Sequence, residues 1–168
     1  VCPHPCEQGC NRGDYDEPIA IHSIERWLGD EARSKNWAFP KLKKSPRTGR
    51  VAVVGAGPGG LSAAYHLRRM GHEVVLIDAL PEAGGLLRTA IPLTRLPRDV
   101  LDAEIQRILD LGIEFRPHTR IGVDVHIDEL KAEFDAVFLA PGAERAREWS
   151  VAGATPSDHR TALELLKE

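Results

Sequence analysis

A glycine-rich turn between an apolar run and a helical stretch constrains the fold of this chain more than any other feature. The turn carries the pattern G-x-G-x-x-G at Gly55, Gly57 and Gly60. The β-branched run Val51–Val54 before it predicts a short strand, and Gly59–Met70 after it predicts a helix. The turn therefore has the structural context, strand before and helix after, that this pattern requires to have meaning.

Each of the three glycines has a different physical role in a turn of this kind. The first permits the tight turn, the second lets the backbone approach a pyrophosphate, and the third lets the helix lie close on the strand. The amino end of the helix then offers free N–H groups and the positive end of its dipole to the phosphates. We therefore predict that a dinucleotide lies along this loop, with Ala56, Pro58 and Gly59 beside the three glycines.

An acidic residue stands where a dinucleotide site of this type needs one. A second strand is predicted over Glu73–Ile77, and Asp78 follows it, 23 positions after Gly55. A carboxylate there accepts hydrogen bonds from ribose hydroxyls and repels a 2′-phosphate. A glycine-rich turn without a ligand is the alternative, but strand, glycine loop, helix, strand and acid together favour a Rossmann-like nucleotide site.

Strands and helices go on alternating after this unit, which predicts an α/β fold built on a parallel sheet. We expect a loop over 80–97, helices over 99–111 and 127–132, short strands over 113–115 and 119–123, and a buried strand over 136–139. The predicted domains are an N-terminal helical segment over 1–40, with its helix at 19–37, a basic linker over 41–49, and a Rossmann-like βαβ domain over 50–168.

All cysteines of the chain lie in one N-terminal loop, at Cys2, Cys6 and Cys10. Clustered thiols in a protein without a signal peptide indicate a metal rather than disulfides, and thiolate favours zinc or iron–sulfur. A cubane cluster normally has four ligands, so one is absent or is not cysteine. The alternatives are ordinary loop thiols, or a structural zinc ion completed by His4 or His22.

Composition excludes several classes of function. The net charge of −3 gives no basic footprint for nucleic acid, and no apolar run is long enough to span a membrane. The polar N-terminus is not a signal peptide, so we expect a cytoplasmic protein. The first residue is Val1 and the only methionine is Met70, so we expect a piece of a longer protein.

The combination of motifs resembles the small, β-type subunit of NADPH-dependent glutamate synthase. That family includes the matching region of dihydropyrimidine dehydrogenase and related ferredoxin–NADP oxidoreductase subunits. The resemblance is carried by the glycine loop and by four further stretches, which are 78–88, Ile91-Pro92, 95–97 and 140–143.

The resemblance implies that the first glycine loop holds FAD, with Asp78 at the adenosine ribose. By position it adds further cofactor-binding residues, which are Gly85, Leu86, Arg88, Leu96, Ile121, Ala140 and Gly142. It also implies that the three cysteines serve two [4Fe-4S] clusters. A glutamine ligand of one relative corresponds to Glu25, which we name as a candidate metal ligand; the alternative is an exposed helical glutamate.

The function implied is an FAD- and iron–sulfur-dependent oxidoreductase of glutamate synthase small-subunit type. Electrons would pass from NAD(P)H through the flavin and the [4Fe-4S] clusters to an electron-accepting partner subunit. The chain has one dinucleotide fingerprint, so we expect NAD(P)H to bind only the intact protein and this chain alone to be inactive. No side chain is predicted to be catalytic, because the flavin carries the chemistry. The alternative is a non-catalytic, cluster-binding electron relay or scaffold subunit.

Overall fold

The computed structural model describes residues 2–40, 49–143, 146, 153 and 160–166. The chain divides into two compact units, Val1–Phe39 and Pro40–Glu168. The predicted linker 41–49 lies outside the described residues apart from Gly49, and its extent stays a prediction.

The first unit consists of a one-turn helix, a 3₁₀ turn at Asn11–Asp14 and a longer amphipathic helix. Its helices are α1, Pro5–Gln8, and α2, Ile21–Ser34, so the helix predicted over 19–37 is present but shorter at both ends. The Glu7 carboxylate accepts the backbone N–H of His22 at 2.8 Å, which ties α1 to the first turn of α2. None of the described residues of this unit is buried.

The second unit is a four-stranded parallel sheet in the order β3-β2-β1-β4, with helices in the crossovers. Its strands are β1 Arg50–Val54, β2 Glu73–Ile77, β3 Glu114–Arg116 and β4 Ala136–Leu139. Its helices are α3 Pro58–Arg69, α4 Leu86–Thr89, α5 Arg98–Leu109, α6 Ile127–Glu133 and α7 Ala162–Leu166. The predicted α/β fold with a parallel sheet is therefore confirmed.

The period-two alternation of β1 divides the core into two layers. Val51 and Val53 pack into one cluster with residues of α3 and α5. Ala52 and Val54 point the other way and pack against α6. Because both faces of the strand are covered, its sequence is a continuous apolar run rather than an alternating one.

Three predicted elements differ from the structure. The stretch 119–123 is a turn rather than a strand: Gly122 N–H donates to Val125 O at 2.8 Å, and the Asp124 carboxylate accepts Arg120 N–H at 2.7 Å. The predicted loop 80–97 contains the single-turn helix α4.

The third difference concerns β4, which was expected to be buried. Phe138 is 45% exposed and Leu139 is 59% exposed. The reason is its position: within the described part of the chain, β4 is the edge of the sheet and pairs only with β1.

Across the described residues, no helix has the length and apolar character needed to cross a bilayer.

Candidate functional site

A cavity of about 290 Å³ lies beyond the carboxyl ends of β1 and β4, at the mouth of the glycine loop. This edge of a parallel sheet is where ligands of open α/β folds bind. The cavity is lined by Gly55, Gly57, Pro58, Gly59, Asp78, Leu80, Gly85, Leu86, Ala140, Pro141, Gly142 and Ala143. Nine of these are residues that the sequence predicted to bind the cofactor, so the fold brings most of the predicted site together.

The glycines at the two ends of the loop are required by the protein backbone itself. Gly55 has φ +100°, and a Cβ added there would lie 2.1 Å from the carbonyl oxygen of Ala140. A Cβ added at Gly60 would lie 1.7 Å from the carbonyl oxygen of Gly55. Close packing of α3 and β4 on the turn therefore excludes side chains at both positions.

Gly57 is different, because its missing side chain faces the cavity. A Cβ there would meet only the Cα of Gly85, at 3.9 Å, so no protein group excludes it. The first α3 bond runs from Leu61 N–H to Gly57 O at 2.9 Å, which leaves the amides of Gly59 and Gly60 without partners inside the helix. An open surface beside free N–H groups is what an approaching anion needs.

The Asp78 carboxylate joins the glycine loop to the chain that follows β2. One oxygen accepts the N–H of Ala56 at 2.6 Å, and the other accepts the N–H of Leu80 at 2.8 Å. Each carboxylate oxygen has a second lone pair, so both can still accept a ribose hydroxyl. Asp78 therefore shapes the loop and also lines the cavity.

A second cavity of about 180 Å³ adjoins the first and contains the predicted residue Ile121. The two cavities share Gly55, Asp78 and Pro141. Thr119 and Arg120 give the second cavity a more polar wall. Together the two cavities form one crevice, and they meet at the carboxylate of Asp78.

Four predicted cofactor-binding residues do not line either cavity. Ala56 and Gly60 are buried within the loop and helix, and Leu96 packs on the core. The Arg88 guanidinium donates to the carbonyl of Ala83 at 2.9 Å and pairs with carboxylates on its own loop and on α5. A direct contact of these four residues with a cofactor stays a prediction.

The sequence prediction omitted three residues that line the larger cavity, which are Leu80, Pro141 and Ala143. Each lies within three positions of a predicted residue, so their place next to Asp78 and Ala140 was the available signal.

The N-terminal thiols are accessible: Cys2 and Cys6 are exposed, and Cys10 is partly exposed. The backbone N–H groups of Ile19 and then Arg12 lower the pKa of the Cys10 thiol below its ordinary value. Among the described residues no three Cys, His, Asp or Glu side chains converge on one metal position. Glu25 lies on α2, and its role as a ligand stays a prediction.

Comparisons with known proteins agree with this geometry. Residues 53–113 match the family described as an NAD(P)-binding Rossmann-like domain. FprA from Mycobacterium tuberculosis in complex with NADPH superposes with a TM-score of 0.58 at 24% identity, covering 64% of this chain and 25% of that one. This likeness shows the fold.

Two curated relatives match almost the whole chain. The beta subunit of the NADP-dependent formate dehydrogenase of Moorella thermoacetica is 41% identical, with 91% of this chain and 25% of the relative covered. The small chain of the NADPH glutamate synthase of Bacillus subtilis is 37% identical, with 99% of this chain and 34% of the relative covered. The chain thus spans between a quarter and a third of the length of these relatives.

The fold and the glycine loop together define a Rossmann-like domain, and its residues 53–113 are similar to NAD(P)-binding domains of that type. Within that class, the chain is homologous to glutamate synthase small subunits and to the beta subunits of related NADP-dependent oxidoreductases.

Proposed function

We propose that this chain is the FAD-binding part of an NAD(P)H oxidoreductase of the glutamate synthase small-subunit type. The observation that carries the proposal is the crevice at the glycine loop, where the open face of Gly57 lies beside Asp78. The relatives are named as oxidoreductases or subunits that use NADP or NADPH, which supports the same class of reaction.

The residues of the crevice fit FAD. The free amides at the start of α3 and the bare backbone of Gly57 suit a pyrophosphate. Asp78 suits the adenosine ribose, and the smaller cavity extends the crevice past it. The apolar walls at Pro58, Leu80 and Leu86 exclude water from a flat ring system. Two adjoining cavities, of about 290 and 180 Å³, favour a cofactor larger than a mononucleotide.

FAD, when bound, would accept two electrons from NAD(P)H and release them one at a time to a carrier. The chain's own residues bind and orient it. The amino end of α3 neutralises phosphate charge, and the Asp78 carboxylate fixes the adenosine end and disfavours a 2′-phosphate. We expect NAD(P)H itself to bind a further part of the intact protein.

We further propose that Cys2, Cys6 and Cys10 contribute ligands to [4Fe-4S] clusters, with Glu25 as a further candidate ligand. The lowered pKa of the Cys10 thiol favours the thiolate that a metal requires. The three thiols and Glu25 do not by themselves form a complete site in the described residues. Other ligands are therefore needed, and no electron-transfer step is assigned to these residues. The intact protein would pass electrons to a partner subunit.

The second candidate function is a cluster-binding relay or scaffold subunit without a working flavin site. The exposed cysteine loop favours it, because accessible thiols can take up a cluster whether or not the crevice holds a flavin.

The test is an equilibrium titration of the full 168-residue chain with FAD, NADPH and NADH, followed by flavin fluorescence and nucleotide absorbance. We expect FAD to bind most tightly. In Gly57→Ala we expect the affinity for FAD to fall at least about tenfold, which corresponds to ~1.4 kcal/mol. The apo stability of this variant should be unchanged, because its Cβ meets only Gly85 Cα at 3.9 Å.

Gly29→Ala on α2 is the matched control, since nothing lies within 4 Å of its added Cβ. Equal FAD affinity in Gly57→Ala and the wild type would contradict the proposed site. A chain that binds no FAD but takes up iron and sulfide through its cysteines would favour the relay function.

A further inference from the structure

The single-turn helix α4 forms one wall of the crevice. Gly85 and Leu86, at its amino end, line the larger cavity. A helix of four residues is far below the length at which a helix persists by itself in water. The contacts that α4 makes with the rest of the unit must therefore decide where it lies.

The amino end of α4 is fixed directly on the glycine loop. Gly84 N–H donates to Ala56 O at 2.8 Å. Gly85 has φ +52°, and a Cβ added to it would lie 2.8 Å from the Cα of Gly57. The two glycine turns are thus in backbone contact at the point where we place the pyrophosphate.

The carboxyl end of α4 is held by one side chain, Arg98, the first residue of α5. Its partly buried guanidinium donates to four backbone carbonyls of one loop, those of Leu87 at 3.3 Å, Ile91 at 3.1 Å, Leu96 at 3.2 Å, and Arg88. Two of these carbonyls belong to α4, where a four-residue helix has no internal donors for them. A positive charge at this end also interacts favourably with the negative end of the helix dipole.

Arg88 fixes the middle of α4 in the same way. Its Nε donates to Ala83 O at 2.9 Å, and its other nitrogens pair with Glu82 at 3.3 Å and with Asp102 of α5. The loop before α4, the helix itself and α5 are therefore joined through two guanidinium groups.

We propose that Arg98 is a positioning residue for the cofactor: it holds α4 so that Gly85 and Leu86 face the glycine loop before FAD arrives. Arg98 does not line either cavity, so it acts through the backbone of 87–96. This inference rests on the proposed function, because it assigns a role in FAD binding. When only a fraction of the protein has the binding wall in place, the apparent dissociation constant rises by the inverse of that fraction.

The test compares Arg98→Met with Arg95→Met in the full chain. Arg95 lies on the same loop and is exposed, and its guanidinium makes no hydrogen bond or ion pair with any described residue. If the ordered fraction of α4 falls to about one tenth, Arg98→Met raises the FAD dissociation constant about tenfold. Arg95→Met should leave it unchanged.

Hydrogen exchange of the apo chain supplies a readout that does not involve FAD. The amides of Arg88, Thr89 and Ala90 donate to the carbonyls of Gly85 and Leu86 at 3.0 Å. In Arg98→Met these amides should exchange faster, while the amides of β1 and β2 keep their protection. Unchanged protection at 88–90 would overturn the inference.

Arg98→Lys is the second variant, for use if Arg98→Met does not fold. Lysine keeps the charge but lacks the planar fork that reaches several carbonyls. We expect an FAD affinity between those of the wild type and Arg98→Met, and wild-type affinity would overturn the inference. If the wild-type chain itself binds no FAD, the proposed function fails, and hydrogen exchange alone then decides the role of Arg98.

Discussion

At the scale of single residues, the role of each glycine in the loop depends on which atoms an added side chain would meet. Gly55 and Gly60 face backbone carbonyls, so they are required for α3 and β4 to approach the turn. A Cβ added at Gly57 would meet only the Cα of Gly85, at an ordinary contact distance of 3.9 Å, so the protein does not exclude a side chain there and the bare backbone is available to a ligand. The same residue type thus serves packing at two positions and binding at a third, and substitutions separate these roles.

Gly60→Ala and Gly59→Ala are adjacent substitutions for which we expect opposite effects on stability. The Cβ at position 60 would lie 1.7 Å from the carbonyl oxygen of Gly55, and backbone cannot move away cheaply. We expect a loss of about 3 kcal/mol or more in the free energy of unfolding. At position 59 the nearest atom is the Cβ of Ala140 at 3.9 Å. That variant should gain about 0.4–1 kcal/mol, because alanine loses less entropy in a helix.

Urea denaturation of the two apo variants, followed by far-ultraviolet circular dichroism, measures both effects. Equal midpoints for Gly59→Ala and Gly60→Ala would contradict the packing described for the start of α3.

Among the secondary-structure elements, the short helices α4 and α6 are held in place by different contacts. The helix α6 is anchored by apolar burial: Leu130 is 1% exposed and Phe134 is 5% exposed, both against β1 and β2. The helix α4 has no fully buried residue: Leu87 packs partly against the core, and the hydrogen bonds of Arg88 and Arg98 supply the polar contacts that hold it. We therefore expect α6 to tolerate changes in charge but not in volume.

Leu130→Ala and Leu139→Ala compare the same change at a buried and at an exposed site. Leu130→Ala should cost about 2–5 kcal/mol, from lost burial and the cavity left behind. Leu139 is 59% exposed on the edge strand β4, so Leu139→Ala should lower the free energy of unfolding by well under half as much. Urea midpoints of the apo chain give both values. A Leu139→Ala loss as large as that of Leu130→Ala would mean that β4 is covered in solution.

The sequence predicted the elements whose evidence is local and missed those that depend on distant partners. β1, α3 and β2 follow from β-branched runs and a glycine pattern, and the structure confirms them within one or two residues. α4 was missed because its carbonyl acceptors are satisfied by Arg98, ten positions away from Arg88. The stretch 119–123 has β-branched residues, but the Asp124 carboxylate holds it in a turn.

The same reasoning applies to the candidate site. The glycine loop and Asp78 were predictable because their chemistry depends on spacing along one βαβ unit. The exposure of β4 was not predictable, since an apolar run does not reveal whether a neighbouring element covers it. The contacts of Arg88 were not predictable either, because Asp102 reaches it from another helix.

At the scale of the whole molecule, the buried core lies in one of the two compact units. Every buried apolar residue among those described lies between Val51 and Phe134. The unit Val1–Phe39 has no buried described residue, and its α2 helix exposes Trp27 by 60%. The second unit therefore has the means to fold by itself, and the first unit lacks them.

Deleting residues 1–39 should leave the folding of the remaining chain nearly unchanged. We expect the thermal midpoint to stay within about 4 °C, a change of roughly 1 kcal/mol or less. Leu130→Ala should cost the same in the shortened chain as in the full chain, because changes at independent sites add. The isolated 1–39 peptide should have little helix, since α2 has only 14 residues and no buried face. Calorimetry of both chains decides the matter, and a shortened chain without a cooperative transition would show that the first unit is part of the core.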